Sequence, residues 1–153
     1  MSIRRLFQAG SVKVALLLRK IFTVTYGQHF FLVDRVSEEL TPVGPGVIDQ
    51  IGNLAKLTNL QYLSLLDQPL TSLQDIQTFS DLRRLEIRKC PVVDAAAAFT
   101  LTQLEELTLF STQITSIQGI QNLTNLTRVD INNTQVSDLS PLTKCDFGYA
   151  MEN

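Results

Sequence analysis

The side chains that could take part in nucleophilic or metal chemistry are few in this sequence. There is one histidine, His29, inside an apolar, strand-like run, and there are two cysteines, Cys90 and Cys145. A structural zinc site needs about four nitrogen or sulfur ligands, and a nucleophilic thiol works beside a base. No glycine-rich phosphate loop or nucleophile elbow accompanies these residues. The sequence therefore predicts that the protein is not an enzyme and has no cofactor and no metal site.

A 22-residue repeat fills the centre of the chain. Four copies begin at Leu60, Leu82, Leu104 and Leu126 and follow one another without gaps. Each copy has apolar side chains at repeat positions one, four, six and eleven. In the first copy these are Leu60, Leu63, Leu65 and Leu70. An upstream half-repeat keeps the same phase, with Ile48, Ile51, Leu54 and Leu57.

The spacing of the apolar residues changes within each copy. Positions four and six alternate, which is typical of a short strand, and the three-residue spacing elsewhere suits 3₁₀ or irregular turns. One copy holds only one apolar layer, so copies must stack, about 4.8 Å apart, with their strands parallel. The segment DAAAAF, residues 94–99, is expected to form one helical turn. Both cysteines fall at core positions about two repeats apart, and this predicts two buried thiols without a disulfide.

The repeat resembles that of the leucine-rich repeat family, whose unit is L-x-x-L-x-L-x-x-N-x-L. Residues 124–142, TNLTRVDINNTQVSDLSPL, are similar to the short bacterial type found in internalins. The resemblance covers about residues 48–145. It implies an α/β repeat solenoid, a right-handed coil with a parallel sheet on the concave face and 3₁₀ or irregular segments on the convex side. It also implies a protein-binding function.

One repeat position departs from the family pattern. The asparagine usual at position nine bonds to the backbone of adjacent turns, and here that position holds Gln68, Cys90, Thr112 and Thr134. A thiol is a weak hydrogen-bonding group. We therefore expect the second repeat to be locally weak.

Strand residues between the core positions face outward on the concave side and form columns about 5 Å apart. Column three, with Arg84, Glu106 and Arg128, predicts a ladder of alternating charge. Column seven places Leu66, Arg88 and Phe110 on the same face. Aromatic groups beside arginine are frequent anchors of interfaces. The predicted partner-binding residues are Tyr62, Leu66, Arg84, Arg88, Phe110 and Arg128. The alternative is a solvated salt-bridge face of little energetic value.

Residues 1–47 do not follow the repeat. Apolar residues three or four apart predict an amphipathic helix over residues 3–20, and IFTVTY and HFFLVD on either side of Gly27–Gln28 predict a hairpin. Because a solenoid must cover its first layer, we interpret residues 1–47 as an N-terminal cap. The alternative is an organelle presequence or a membrane-surface helix, since the first acidic residue is Asp34; membrane contact through residues 3–20 is not the favoured interpretation. Residues 146–153 form a short tail.

Composition narrows the class of partner. A hydrophobic content of 44% and a charged content of 18% indicate a folded globular chain, and a net charge of −2 argues against nucleic-acid binding. No apolar run approaches the roughly 20 residues that a transmembrane helix needs, and no conventional signal peptide is recognisable, so an intracellular location is favoured.

Two functions fit these observations. The first is a non-enzymatic module that binds an unidentified protein partner through the concave strand face. The second is a structural or truncated fragment of a larger repeat receptor or effector that has no complete ligand site of its own.

Overall fold

The computed structural model describes residues 13–17, 21–26, 29–34, 39–43, 48–55, 60–145 and 147. Within these ranges the strands form one eight-stranded sheet in which they follow one another in sequence order. The strands are Lys13–Leu17 (β1), Ile21–Tyr26 (β2), His29–Asp34 (β3), Glu39–Val43 (β4), Tyr62–Leu66 (β5), Arg84–Arg88 (β6), Glu106–Thr108 (β7) and Arg128–Asp130 (β8).

The second half of the sheet, β5 to β8, is parallel and has the register that the repeat predicts. Leu63 pairs with Leu85, Leu85 with Leu107, and Leu107 with Val129. The first three of these side chains are fully buried, whereas Val129 is half-buried. β5 and β6 are five residues long, and β7 and β8 are shorter, at three residues each. The solenoid register is confirmed.

The convex side consists of short 3₁₀ turns, as the three-residue spacing predicts. They span Ile51–Leu54, Ile76–Thr78, Ala96–Thr100, Ile120–Asn122 and Ser140–Lys144. The helical turn expected near residues 94–99 is the third of these. Each turn places apolar side chains, such as Ile76 and Phe99, in the same core as the strand leucines. The described residues therefore form a leucine core closed on one side by strands and on the other by 3₁₀ turns.

Position nine of each repeat satisfies backbone groups inside the bend that follows the strand. Thr112 and Thr134 each donate their hydroxyl to the carbonyl three residues earlier, at 2.8 Å. Gln68 accepts a hydrogen bond from the backbone N–H of Ile48 at 3.1 Å and donates its amide to the carbonyl of Leu66 at 2.8 Å. Cys90 has only long sulfur contacts, 3.4 and 3.7 Å from two carbonyl oxygens. The local weakness expected at the second repeat stays a prediction. The longest contacts of the four position-nine side chains are those of Cys90, which belongs to that repeat.

The two cysteines differ in burial. Cys90 is buried and Cys145 is half-buried, and both are free thiols. The prediction of two buried thiols is therefore confirmed for Cys90 and wrong for Cys145. Cys145 follows the last 3₁₀ turn, where no further repeat among the described residues covers it. Burial raises the pKa of both thiols above its ordinary value.

Position eight of every repeat adopts a left-handed backbone conformation. The φ angles are 54° at Asp67, 54° at Lys89, 54° at Ser111 and 56° at Asn133. This conformation is unfavourable for most residues and is best tolerated by glycine, asparagine and aspartate. Lys89 and Ser111 are therefore less suited to this conformation than Asp67 and Asn133.

Replacing Lys89 by asparagine is expected to stabilise the protein. Asparagine tolerates the left-handed conformation at this position better than lysine does, and this should raise the free energy of unfolding by about 0.5–1 kcal/mol. Chemical denaturation measures the change, with Thr115→Asn as the control because Thr115 is exposed and has no positive φ. A gain of the same size in both variants would show that the backbone conformation is not its source.

The N-terminal segment differs in part from its prediction. β1 pairs antiparallel with β2, so the helix predicted over residues 3–20 is wrong for residues 13–17, and its remainder lies outside the described residues. The predicted hairpin is confirmed, since β2 pairs antiparallel with β3 from Tyr26 and His29 outward. A short apolar run such as KVALL fits either a helix or a strand, and pairing with β2 decides for the strand.

The sheet is continuous from the N-terminal strands into the repeats. β4 pairs antiparallel with β3 and parallel with β5, where Glu39 lies opposite Tyr62 and Leu40 opposite Leu63. Strand β4 thus occupies the edge that β5 would otherwise expose. We propose on this basis that residues 1–47 cap the solenoid of residues 48–145, and that residues 146–153 are a tail.

Candidate functional site

The concave face of β5 to β8 holds a connected set of charged and aromatic side chains. Arg84 is near its centre: its Nη2 lies 2.6 Å from Glu86 Oε1 and its Nε lies 3.3 Å from Glu106 Oε2. The guanidinium carbon of Arg84 lies 4.9 Å from the ring centroid of Tyr62. Arg128 continues the column, with Nη1 4.0 Å from Glu106 Oε2. The predicted ladder of alternating charge therefore forms.

Glu86 is the buried acid of this face. Only 12% of its side chain is exposed, and it accepts a hydrogen bond from the hydroxyl of Ser64 at 3.2 Å. Its Oε2 also lies 3.9 Å from Nε of Arg88. Burial by itself raises the pKa of this carboxyl, but the hydrogen bonds from Arg84 and Tyr62 and the nearby arginine charges outweigh it and hold the pKa below its usual value. Glu86 is therefore a fixed anion that orients two arginines.

Arg88 connects the aromatic part of the face with its acidic part. Its guanidinium carbon lies 5.8 Å from the ring centroid of Phe110, and its Nη1 lies 3.9 Å from Asp130 Oδ2. Leu66, one strand away in the same column, is 52% exposed. Both contacts hold the guanidinium over the face beside exposed apolar surface.

The carboxylates and guanidinium groups surround a shallow groove of about 330 Å³. Its lining residues are Arg84, Glu86, Arg88, Glu106, Thr108, Arg128, Val129 and Asp130. Three basic and three acidic groups make this lining neutral overall. Within the described ranges, no group of three or more histidine, cysteine or acidic side chains is arranged to hold a metal ion. The chemistry that the face offers is recognition by ion pairs, hydrogen bonds and aromatic contact.

Comparison with known proteins agrees with the geometry. The family model for leucine-rich repeats (two copies) matches residues 102–144. The structure of an internalin, InlF from Listeria monocytogenes, superimposes with a TM-score of 0.65 at 31% sequence identity over 71% of this chain. The chain is a leucine-rich repeat protein of the internalin-like type. Internalin C2 from the same organism is also similar, with a TM-score of 0.60 at 29% identity over 64% of this chain.

Two further comparisons define how far the likeness of this leucine-rich repeat protein extends. The ectodomain of the receptor kinase SOBIR1 from Arabidopsis thaliana shares the fold, with a TM-score of 0.52 at 19% identity over 79% of this chain and 70% of that one. The chain spans 32% of the length of InlF and 43% of the length of internalin C2. No curated protein sequence matches it significantly.

The six residues predicted for partner binding lie on the concave face of the leucine-rich repeat protein. The ion pairs and ring contacts bring together five of them, in the order Tyr62, Arg84, Arg128 on one side and Arg88, Phe110 on the other. Leu66 pairs with Arg88 in the strand register and has no ring or ion-pair contact of its own. All except Leu66 and Arg128 are half-buried.

The sequence analysis did not include Glu86 and Asp130 in the site. Both turn out to fix arginines of the leucine-rich repeat protein. The signal available in the sequence was the pattern Arg84-x-Glu86-x-Arg88, which puts three charged side chains on one face of one strand.

In the part of the chain that the structure describes, no helix is long and apolar enough to cross a membrane.

Proposed function

We propose that the chain is a non-enzymatic interaction module that binds a protein partner through its concave strand face. Leucine-rich repeat proteins generally mediate protein–protein interaction, and the repeats of this chain are of that family. The observation that carries the proposal is the exposed leucine at position 66 and the half-buried Phe110, both beside Arg88 on an otherwise charged face.

The alternative of a purely solvated salt-bridge face accounts for fewer of these features. Surface ion pairs alone contribute little to stability, and they do not require large apolar side chains between them. Leu66 exposes 52% of its surface, at a position where a polar residue would not lower the stability of the fold. Aromatic and arginine groups held in place by neighbours lose little conformational entropy on binding, which is the property of interface anchors.

A second candidate function is that of a repeat array whose ligand site includes further repeats. The chain spans only 32% and 43% of the two internalins that it resembles. A fragment of a longer repeat receptor or effector would share its ligand site with further repeats. In that case the concave face of these four repeats alone would bind no partner with useful affinity.

Affinity capture with two matched variants separates these candidates. Leu66→Glu puts a charge on the concave face, and Val93→Glu puts the same charge on a side chain of similar exposure, 55%, outside the strands. Tagged wild-type protein and both variants are incubated with lysate of the source organism, and captured proteins are quantified by mass spectrometry. A protein captured by the wild type and by Val93→Glu but lost with Leu66→Glu supports the interaction module.

The opposite results are equally clear. Capture of the same proteins by all three forms would place binding away from the concave face. Capture of nothing above background by folded wild-type protein would favour the fragment.

A further inference from the structure

Each internal repeat uses the same backbone groups to hold the repeat that follows it. The carbonyl at position two accepts N–H groups of the next repeat: Glu105 O, for example, accepts from Thr127 N at 2.8 Å and from Arg128 N at 3.2 Å. The N–H at position eight donates to the next repeat, as Ser111 N does to Asn132 O at 3.0 Å. The same bonds recur from Gln61, Arg83, Asp67 and Lys89. The pattern predicts which backbone N–H and C=O groups of the fourth repeat would bind a further strand.

In the fourth repeat these groups have no hydrogen bond to another described residue. The carbonyl of Thr127 corresponds to that of Glu105, and the N–H of Asn133 corresponds to that of Ser111. The N–H of Ile131 is in the same position, since its equivalent, that of Leu109, donates to Asp130 O at 2.7 Å. Residues 127–133, which include strand β8, therefore present these two donors and this acceptor along the outer edge, spaced as in the rest of the sheet.

Apolar side chains accompany this edge. Val129, Ile131 and Val136 are half-buried, whereas their equivalents one repeat earlier, Leu107, Leu109 and Ile114, are fully buried. An added strand would cover this apolar layer in the same way that β8 covers the layer below. Apolar burial and backbone hydrogen bonding thus favour the same occupant.

The charge of Arg128 specifies that occupant further. Its side chain is 72% exposed, and its ion-pair partner is Glu106 at 4.0 Å. The same carboxylate oxygen lies closer to Arg84, at 3.3 Å, so Glu106 is shared between two cations. Column three alternates arginine, glutamate, arginine, and a carboxylate in the next place would complete the alternation.

We propose that the β8 edge binds an extended segment of a partner polypeptide as an added parallel strand. The segment carries an acidic residue opposite Arg128 and apolar residues opposite Val129 and Ile131. Strand addition of this kind takes its affinity from main-chain hydrogen bonds and its specificity from alternate side chains. The edge shares Arg128 and Val129 with the concave groove, but its backbone donors and acceptor are used by no other described residue, and the proposal does not depend on the function proposed for the concave face.

A peptide with the chain's own third-repeat sequence, LEELTLFST, is a suitable probe, because its second glutamate has the column-three position. Binding of the fluorescent peptide to the full chain is measured by anisotropy. Arg128→Glu is expected to weaken binding by about tenfold or more, since it replaces attraction by like-charge repulsion. A peptide with arginine in place of that second glutamate should bind Arg128→Glu better than it binds the wild type, which no general loss of folding would produce.

Two controls test the mode of binding. Lys89→Glu makes the same charge change at an exposed site two repeats away and should leave peptide affinity unchanged. A peptide N-methylated at its two glutamates cannot donate to Thr127 O and should not bind. Equal binding of the methylated peptide, or equal affinity of Arg128→Glu and wild type, would overturn the proposal. Dimerisation of the peptide-free protein through this edge, detected by sedimentation and abolished by Arg128→Glu, would assign the edge to a second copy of the chain instead.

Discussion

Replacing Leu107 by alanine is expected to lower the free energy of unfolding by about 2–5 kcal/mol. Leu107 is fully buried and lies in the sheet register between Leu85 and Val129. Truncation removes the apolar contacts of one side chain and leaves a cavity, and the strands on either side limit how far the cavity can collapse. A repeat protein has no other part of the core that could compensate, because each layer contacts only its neighbours.

Chemical denaturation of wild type and variant measures this loss. Leu66→Ala is the matched control, since it removes the same atoms from a side chain that is 52% exposed. It should cost much less than Leu107→Ala. Val129→Ala should fall between the two, because Val129 is half-buried and smaller. Losses of similar size at positions 66 and 107 would contradict the register on which the fold rests.

The repeated part of the fold could be predicted from the sequence because one constraint recurs with a fixed period. A strand residue such as Leu85 is buried on the same side as Leu63 and Leu107, so an error of one residue in register would expose every core leucine. The convex turns follow from the three-residue apolar spacing for the same reason. In a periodic sequence, residues at the same repeat position lie opposite one another in adjacent strands, so the period alone predicts the pairing.

Where the period ends, prediction was less accurate. Residues 13–17 have the apolar spacing of a helix, but the choice of a strand depends on the partner β2, which local spacing does not reveal. Cys145 occupies a position that would be buried inside a longer stack, and it is half-buried because no further repeat among the described residues covers it. Both differences arise from the presence or absence of a neighbour.

The site was predicted as columns but not as a network. Strand alternation is sufficient to place Arg84, Glu106 and Arg128 in one line. It does not determine that Arg84 bonds to Glu86 within its own strand at 2.6 Å while also approaching Glu106 across strands. A long side chain such as that of Arg84 can reach several partners at similar distances. The shorter ion pair of Arg84 is with Glu86, the more buried of its two acidic partners. The ion-pair partners of each arginine therefore follow from the structure and not from strand alternation alone.

The interaction module proposed above makes Phe110 its most informative residue. Phe110 is half-buried, with Arg88 positioned over its ring at 5.8 Å. It follows β7 and lies outside the buried leucine core. Phe110→Ala is therefore expected to leave the fold intact, with an unfolding midpoint close to that of the wild type.

For a partner identified by the capture experiment, the same substitution is expected to weaken binding by about 2 kcal/mol or more, as truncation of a central aromatic anchor does. Isothermal titration calorimetry gives the affinity of each form. Glu105→Ala is the control, because Glu105 pairs with the exposed Arg83 at the side of the strand face and should matter much less. Arg88→Ala should weaken binding too, and the double variant should lose less than the sum of the two single losses, because Arg88 and Phe110 stabilise each other in the free protein. Full additivity would show that the two side chains act separately, and an unchanged affinity for Phe110→Ala would place the partner elsewhere on the molecule.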